Sequence, residues 1–349
     1  MKICLVHSEP EKLPRVQLEH KTLRKAGYDA YILSPKMRSR FRPKLLSAGF
    51  RYVGLMVQEL LERPDVYHVL NIPDILGLTP ILKRAKLVYD IRSPWAEDLR
   101  VFGYNRFICW IAEKIEQYLT RHADIVLVVN KTLEKRARQW GAERIYLLPN
   151  YPPADFQPTV TPENFKKKQG LSGKRIILFV GKFSTLEGAL NIVQVLADVL
   201  KEESIVLVMV GDGPERSSIE EFVNSRGISS KVLVTGWVPH KFVPNWIAIA
   251  DVCVVPLRED MPSAKFYSPH SVRKVGEYLT LGKPLISTPV GEFTQTDLPI
   301  KIASLNSFPE AIKEVLRNPP VIDRPDDFTW ESSEGTLLEA YEELARSLR

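Results

Sequence analysis

The sequence predicts an α/β protein made of two doubly wound domains in series. Apolar runs of strand length alternate with longer amphipathic segments along nearly the whole chain. Those runs are continuous rather than alternately polar and apolar, as in strands buried on both faces of a parallel sheet. The alternation pauses once, over residues 149–173, and then restarts. A chain of 349 residues is about twice a common domain length, which agrees with one domain on each side of that pause.

Taken in order, the first half offers strands at 2–7, 30–33, 66–70, 86–91, 125–129 and 145–148. Amphipathic helical patterns lie between them, near 15–26, 44–62, 74–84, 104–121 and 131–140. Residues 149–173 open Pro-Asn-Tyr-Pro-Pro-Ala-Asp and are rich in proline, polar residues and lysine, so they read as an interdomain connection. Strands follow near 176–180, 205–210, 232–235, 252–255 and 285–287, with helices near 188–202, 214–226, 240–249, 272–281 and 307–317. A last helix, roughly 332–348, closes the chain. The expected domains are therefore 1–150 and 151–330, followed by the closing segment 331–349.

Composition narrows the function classes. Hydrophobic residues make up 44% and charged residues 26%, as in folded globular domains. The net charge of +6 suits acidic ligands or an anionic membrane surface and proves neither. Cys4, Cys109 and Cys253 lie far apart in apolar runs, the pattern of reduced, buried thiols in a cytoplasmic protein. The first apolar run, 3–6, is too short for a secretory signal, and no run approaches the ~18 apolar residues of a spanning helix. The six histidines show no metal-ligand spacing with cysteines or carboxylates. No Gly-x-Ser-x-Gly elbow, Walker ending or nucleic-acid-binding module is present. Lys36, Arg38, Arg40, Arg42, Lys44 and Arg51, however, stand between 36 and 58 with apolar residues interleaved and no acidic one. That segment suits either an anionic membrane surface or a core helix beside a solvated loop.

Ligands of open parallel sheets bind at the carboxyl ends of the strands, beside helix N-termini. With two such domains, the expected site is the cleft between those edges. In the second domain, strand 176–180 runs into Gly181-Lys182, and a second glycine, Gly188, opens the next helix. This resembles a phosphate cradle, yet Glu187 stands where a cation would serve. The turn Gly211-Asp212-Gly213-Pro214 follows strand 205–210. On the helix 272–281, Lys274 and Glu277 share a face. They either meet an anion and a ribose hydroxyl or form a surface ion pair. In the first domain Asp90-Ile-Arg92-Ser-Pro-Trp95 ends strand 86–91. Either Arg92 serves a phosphate and Trp95 stacks on a sugar or base, or the segment is an Asp–Arg pair with packed tryptophan. His68 ends strand 66–70 and reads as a satisfied histidine or a base.

Together these segments resemble glycosyltransferase family 4, of GT-B architecture. The similarity runs through Lys2–His7, Pro14-Arg-Val16 and Leu23–Tyr28, then Tyr89-Asp-Ile-Arg92 with Trp95, then Ala123–Val129 and Leu148–Tyr151 with Phe156. It continues through Phe179-Val-Gly181, Val210–Pro214, Thr235-Gly-Trp237 and Ala250–Pro256, and is strongest at Lys274–Tyr278 with Leu281–Pro284. The resemblance implies two facing Rossmann-like domains with an interdomain cleft, and a terminal helix from Trp330-Glu331 that crosses back to the first domain. It also implies transfer of a sugar from a nucleotide-diphosphate donor to a glycan or lipid-linked acceptor, with retention. No metal and no cofactor beyond the donor are implied, nor is nucleic acid. Arg92, Asp90 and Lys182 would form the catalytic region. Gly181, Glu187, Gly211, Gly236, Trp237, Lys274 and Glu277 would line the donor, and Arg15, His68 and Trp95 the acceptor. The location implied is cytoplasmic, peripheral to the membrane face if 36–58 binds lipid.

This chain departs from the family pattern in several places. Arg92 replaces a histidine, as in one branch, and the first domain lacks a Gly-Gly loop. Pro269 replaces the first member of the paired-glutamate motif that ends at Glu277. Glu187 replaces the second diphosphate cation. Two unit charges ~4 Å apart interact by about 4 kcal/mol at an effective dielectric near 20, so an anion there opposes diphosphate unless Lys265, Arg273 or Lys274 compensates. Two other readings follow: a non-catalytic sugar- or nucleotide-binding relative, and a sugar-nucleotide epimerase.

Overall fold

The computed structural model of the chain describes residues 1–9, 13–35, 44–71, 73–323 and 327–347, with the side chains of all of these except 44–50. They form two compact units, Met1–Asn150 with Trp330–Arg349, and Tyr151–Thr329.

Unit 1 carries β1 (Lys2–Val6), α1 (Pro14–Lys25), β2 (Asp29–Leu33), α2 (Lys44–Leu61), β3 (Val66–Leu70), α3 (Leu78–Leu82) and β4 (Lys86–Ile91). It continues with α4 (Trp95–Val101), α5 (Arg106–His122), β5 (Ile125–Val128), α6 (Lys131–Gln139) and β6 (Ile145–Leu147). Its six strands are parallel in the order β2-β1-β3-β4-β5-β6. Helix starts follow local chemistry. Pro14 takes the first position of α1, where its missing N–H costs nothing. Asn105 and Asn130 cap α5 and α6 by accepting from Ile108 N and Leu133 N, each at 2.8 Å.

Unit 2 carries α7 (Pro162–Lys168), β7 (Arg175–Val180), α8 (Ala189–Val195), β8 (Ile205–Val210), α9 (Arg216–Ser225) and β9 (Val232–Gly236). Then come α10 (Val243–Ala248), β10 (Val252–Val255), α11 (Arg273–Thr280), β11 (Leu285–Ser287), β12 (Ile300–Ile302) and α12 (Phe308–Arg317). The parallel order is β12-β11-β10-β7-β8-β9. Read outward from β7, this is the doubly wound order of dinucleotide-binding sheets. Successive residues face opposite cores: Ile177 and Phe179 join one cluster, Ile176 and Leu178 the other. The chain then ends in α13 (Trp330–Arg346), part of unit 1.

Five elements differ from the sequence expectation. The 74–84 segment is a 3-10 turn followed by α3, and the 188–202 segment is α8 followed by a 3-10 turn. Helix α4 and strand β12 have only seven and three residues, too few for a periodic signal. Helix α7 lies inside the expected connection, with Pro162 at its start, Glu163 in its first turn and three lysines in its last.

Helix α13 completes the core of unit 1. Trp330, Leu337, Tyr341 and Leu344 pack with Ile3, Leu5, Val16, Leu23 and Val66. Trp330 donates its indole N–H to Thr22 Oγ1 at 2.9 Å. The Tyr341 hydroxyl meets His68 Nδ1 at 2.9 Å.

Beneath this helix lies a buried charge network. Arg15 donates through Nε to Glu19 at 2.8 Å and to Asp90 at 2.9 Å, and through Nη2 to Asp90 at 3.2 Å. Its Nη1 donates to the carbonyls of Leu148 and Pro149 at 3.0 and 3.1 Å. Arg15 is 1% exposed, and Asp90 and His68 are wholly enclosed. Arg15 and His68, expected at an acceptor, therefore sit in the core, and so does Asp90, expected at the reacting centre. Glu19, His68 and Asp90 are metal-ligand types within mutual reach, but the guanidinium of Arg15 already supplies their cation. Burial pushes the Glu19 carboxyl up and lowers His68 to about 4, so the imidazole is neutral at pH 7.

Removing one member of a buried ionic cluster leaves an uncompensated charge. Arg15→Ala is expected to destabilise the chain by about 3–5 kcal/mol, read from the urea midpoint. A midpoint equal to that of the wild type would show that the network does not hold unit 1.

Candidate active site

The strand order of unit 2 reverses between β7 and β10, and crevices in open parallel sheets form at such points. Three glycines line this edge where neighbouring strands end: Gly181 after β7, Gly211 after β8 and Gly236 at the end of β9. A Cβ on Gly211 would lie 1.9 Å from the Gly181 carbonyl oxygen, so only glycine lets the two strand exits touch. Gly211 N also donates to Gly236 O at 3.1 Å. Gly188, which starts α8 with φ +65°, comes as close to the Pro256 carbonyl after β10. The result is a row of bare backbone at the switch point.

Charged side chains stand over this row. Lys274, on the first turn of α11, pairs with Glu187 and lies 4.7 Å from the centroid of the Phe179 ring. A Cβ on Gly181 would meet Lys274 Nζ at 2.9 Å and Glu187 Oε2 at 3.2 Å, so the pair rests directly on that glycine. One turn further along α11, Glu277 Oε1 lies 2.7 Å from His240 Nε2. Lys274 and Glu277 are both buried and each has its own partner, so they are not a surface pair with one another. Glu187 is thus matched by Lys274, one of three cations expected to compensate it. Lys265 is exposed and stacks on Phe266 at 5.0 Å instead.

The entrance to α8 is also acidic. Glu215 accepts from Leu190 N at 3.2 Å and from Thr185 Oγ1 at 2.9 Å, taking up the helix-start N–H that a phosphate cradle would offer. Lys182 and Trp237 are exposed, Trp237 by 70%.

In unit 1 the order reverses between β1 and β3. His7 follows β1, Asn71 follows β3 and Arg92 follows β4, three neighbouring strands. Asn71 Oδ1 accepts from Arg92 N at 2.9 Å, Asn71 O accepts from the Arg92 guanidinium, and Asn71 Nδ2 donates to Ser93 O at 2.7 Å. Arg92 is thereby held at the strand exit. Burial, reinforced by the positive charge of Arg92, pushes His7 down to about 3 and keeps it neutral. Trp95 lines a separate hollow of about 580 Å³ with Tyr52, Leu99, Phe102 and Tyr104.

The structure thus brings together Gly181, Glu187 and Lys274, joins Gly211 to Gly236, and sets Glu277 on the same helix as Lys274. Sequence reasoning missed His240, Glu215 and Asn71. Each follows a strand at its carboxyl end, and that position was the available signal. Lys36, Arg38, Arg40 and Arg42 lie outside the described residues, as does the Lys44 side chain. Arg51 pairs with Glu9 at 3.0 Å.

Comparison with known proteins gives a consistent result. The family described as glycosyl transferases group 1 matches residues 174–318, and the glycosyl transferase 4-like domain matches residues 14–151. The chain is 27% identical over 155 residues to an alpha-D-kanosaminyltransferase of Streptomyces kanamyceticus, covering 42% of this chain and 40% of that protein. It is 28% identical over 145 residues to a 2-deoxystreptamine glucosyltransferase of the same organism, covering 40% of this chain and 38% of that protein. The chain thus spans about two-fifths of the length of these curated relatives. Among solved structures, the sucrose-phosphate synthase of Thermosynechococcus elongatus superposes with a TM-score of 0.78 at 17% identity, covering 99% of this chain and 100% of that one. Anabaena HepE, solved in complex with UDP-glucose, superposes with a TM-score of 0.69 at 13% identity, covering 100% and 99%. These structural likenesses show the GT-B fold. With one glycosyltransferase match on each unit and that fold, the chain belongs to the family 4-like glycosyltransferases.

Proposed function

We propose that this chain moves a sugar from a nucleotide-diphosphate donor to a glycan or lipid-linked acceptor, with retention at the anomeric carbon and without a metal ion. The observation that carries this reading is the pair of buried Lys274 with half-buried Glu187 lying against Gly181 at the switch point, with Glu277 one turn away on α11. The names of the relatives support sugar transfer, and the UDP-glucose bound to Anabaena HepE supports a nucleotide-sugar donor.

In this reading the donor diphosphate lies along the glycine row, where backbone approaches it without side-chain obstruction. Lys274 and the exposed Lys182 neutralise the charge that develops as the phosphate leaves. Glu277 accepts from the ribose hydroxyls, and His240 holds its carboxylate in place. Trp237 and the backbone at Gly236 approach the base. In unit 1, Arg92 is the proposed functional cation. Asp90 and Arg15 act on it only by fixing the end of β4. The segment 36–58 is the proposed contact with an anionic membrane surface.

The deciding experiment is a thermal-shift panel of nucleoside mono- and diphosphates followed by a donor-hydrolysis screen across nucleotide sugars. Stabilisation by one diphosphate and hydrolysis of its sugar are expected. Absence of any nucleotide binding would instead favour a non-catalytic relative.

Four substitutions probe the geometry. Lys274→Ala and Glu277→Gln should each weaken nucleoside-diphosphate affinity at least tenfold by calorimetry, a loss of about 1.4 kcal/mol or more. Wild-type affinity in both would remove this edge from the donor site. Glu187→Gln should release Lys274 to the ligand and tighten diphosphate binding by about tenfold. A weakened affinity would mean that Glu187 positions Lys274 rather than opposing the ligand. Arg92→Ala should cut turnover by about 10²–10³-fold with the melting temperature unchanged. Full retained turnover would end its assignment.

A further inference from the structure

Unit 1 presents a second feature that sugar transfer does not explain, the outer face of α5. Phe107, Trp110, Ile111, Lys114, Tyr118 and Arg121 follow one another at helical spacing and are all exposed. Phe107 is 66% and Trp110 53% exposed, and their rings stack at 6.0 Å. Phe102 and Tyr104, in the turn that leads into α5, extend the apolar surface to the hollow beside Trp95. Large aromatic side chains left in water along four turns of a helix mark an interaction surface.

The opposite face explains why these residues cannot turn inward. Cys109, Ala112, Glu116 and Leu119 are buried, and Glu116 is tied to Arg136 of α6. Arg136 also holds Glu97 of α4 at 3.3 Å. Helix α5 is therefore anchored by an ionic cluster, and its outer face is presented rigidly.

The charges on that face identify its partner. The exposed ionic side chains of α5 are Arg106, Lys114 and Arg121, all basic. Of its acidic residues, Glu113 is held by Arg100 at 2.5 Å and Glu116 lies in the core. A two-fold pairing of this face with a second copy would set Lys114 near its own counterpart, like charge against like. Aromatic rings with polar tips, flanked by cations and with the one partly exposed acid of α5, Glu113, matched by Arg100, fit the boundary between headgroups and acyl chains in an anionic bilayer. Helix α2 also exposes Val53, Val57, Leu60 and Leu61, but that strip carries no cation among the described side chains.

We propose that the outer face of α5, with Phe102 and Tyr104, docks unit 1 onto an anionic lipid bilayer. This surface is separate from the basic segment 36–58, and the inference does not depend on the donor site.

The test is co-sedimentation of the full chain with vesicles of phosphatidylglycerol and phosphatidylcholine, against phosphatidylcholine alone. Binding to the anionic vesicles alone is expected. Phe107→Ser with Trp110→Ser should reduce it at least tenfold, and Lys114→Glu with Arg121→Glu should do the same, since each cation near an anionic surface contributes about fivefold. Melting temperature and nucleotide binding should stay at wild-type levels in both double variants, so a failed donor assignment would not alter the outcome. Leu60→Ser with Leu61→Ser on α2, both exposed and outside 36–58, should leave vesicle binding unchanged. The proposal is overturned if both α5 variants bind like the wild type, if the chain binds no anionic vesicle at low salt, or if sedimentation velocity shows a dimer that Trp110→Ser dissolves.

Discussion

Strands buried on both faces leave one place for polar chemistry, the loops at their carboxyl ends. The strand residues Ile3 to Val6, Val66 to Leu70 and Ile205 to Val210 offer water nothing, because both faces of each sheet are covered. The polar groups proposed to meet the donor therefore sit at a strand exit or within the first two turns of the following helix. The strand order then selects among those exits, since the crossover direction reverses beside β7 in one sheet and beside β1 in the other. Hydrophobic burial and topology together place Gly181, Lys274 and Glu277 in unit 2, and His7, Asn71 and Arg92 in unit 1.

Among the described residues, the buried ionisable side chains named at these exits each have a partner. Lys274 has Glu187, Glu277 has His240, and Arg15 has Glu19 and Asp90. Desolvation makes an unmatched ion expensive, so each pairing is a condition of folding before it is a feature of function. For unit 2 this recasts the role of Glu187. In isolation it opposes a diphosphate, whereas paired it holds Lys274 against Gly181 at the strand exit. An anionic ligand arriving there would compete with Glu187 for Lys274.

The two-sheet fold was legible because its cause, continuous apolar runs at regular spacing, is written into the sequence residue by residue. Strands β3, β4, β8, β10 and β11 lie where those runs place them. Helix α4 and strand β12 were not legible, because seven and three residues hold too little periodicity to register. At the candidate site, glycines at strand exits and the Lys274/Glu277 face were visible as local pattern. What the pattern lacked was partnership. His240 and Glu277 are 37 positions apart, and Lys274 and Glu187 are 87 apart. Contacts of that range depend on how strands are ordered, which no local spacing reports. Arg15 shows the same limit from the other side. A lone arginine near the N-terminus reads as a ligand-facing cation until the chain is seen to fold four acceptors around it.

Helix α13 gives the molecule a particular order of assembly. Unit 2 is one unbroken stretch, Tyr151–Thr329, whereas unit 1 is interrupted by it and draws Trp330, Leu337, Tyr341 and Leu344 from the far end. During synthesis the N-terminal sheet emerges first but lacks part of its core until the last helix leaves the ribosome. The contiguous unit has every residue it needs before that moment. Vectorial synthesis thus favours the later-made unit finishing ahead of the earlier one, the reverse of the usual sequence for multidomain chains.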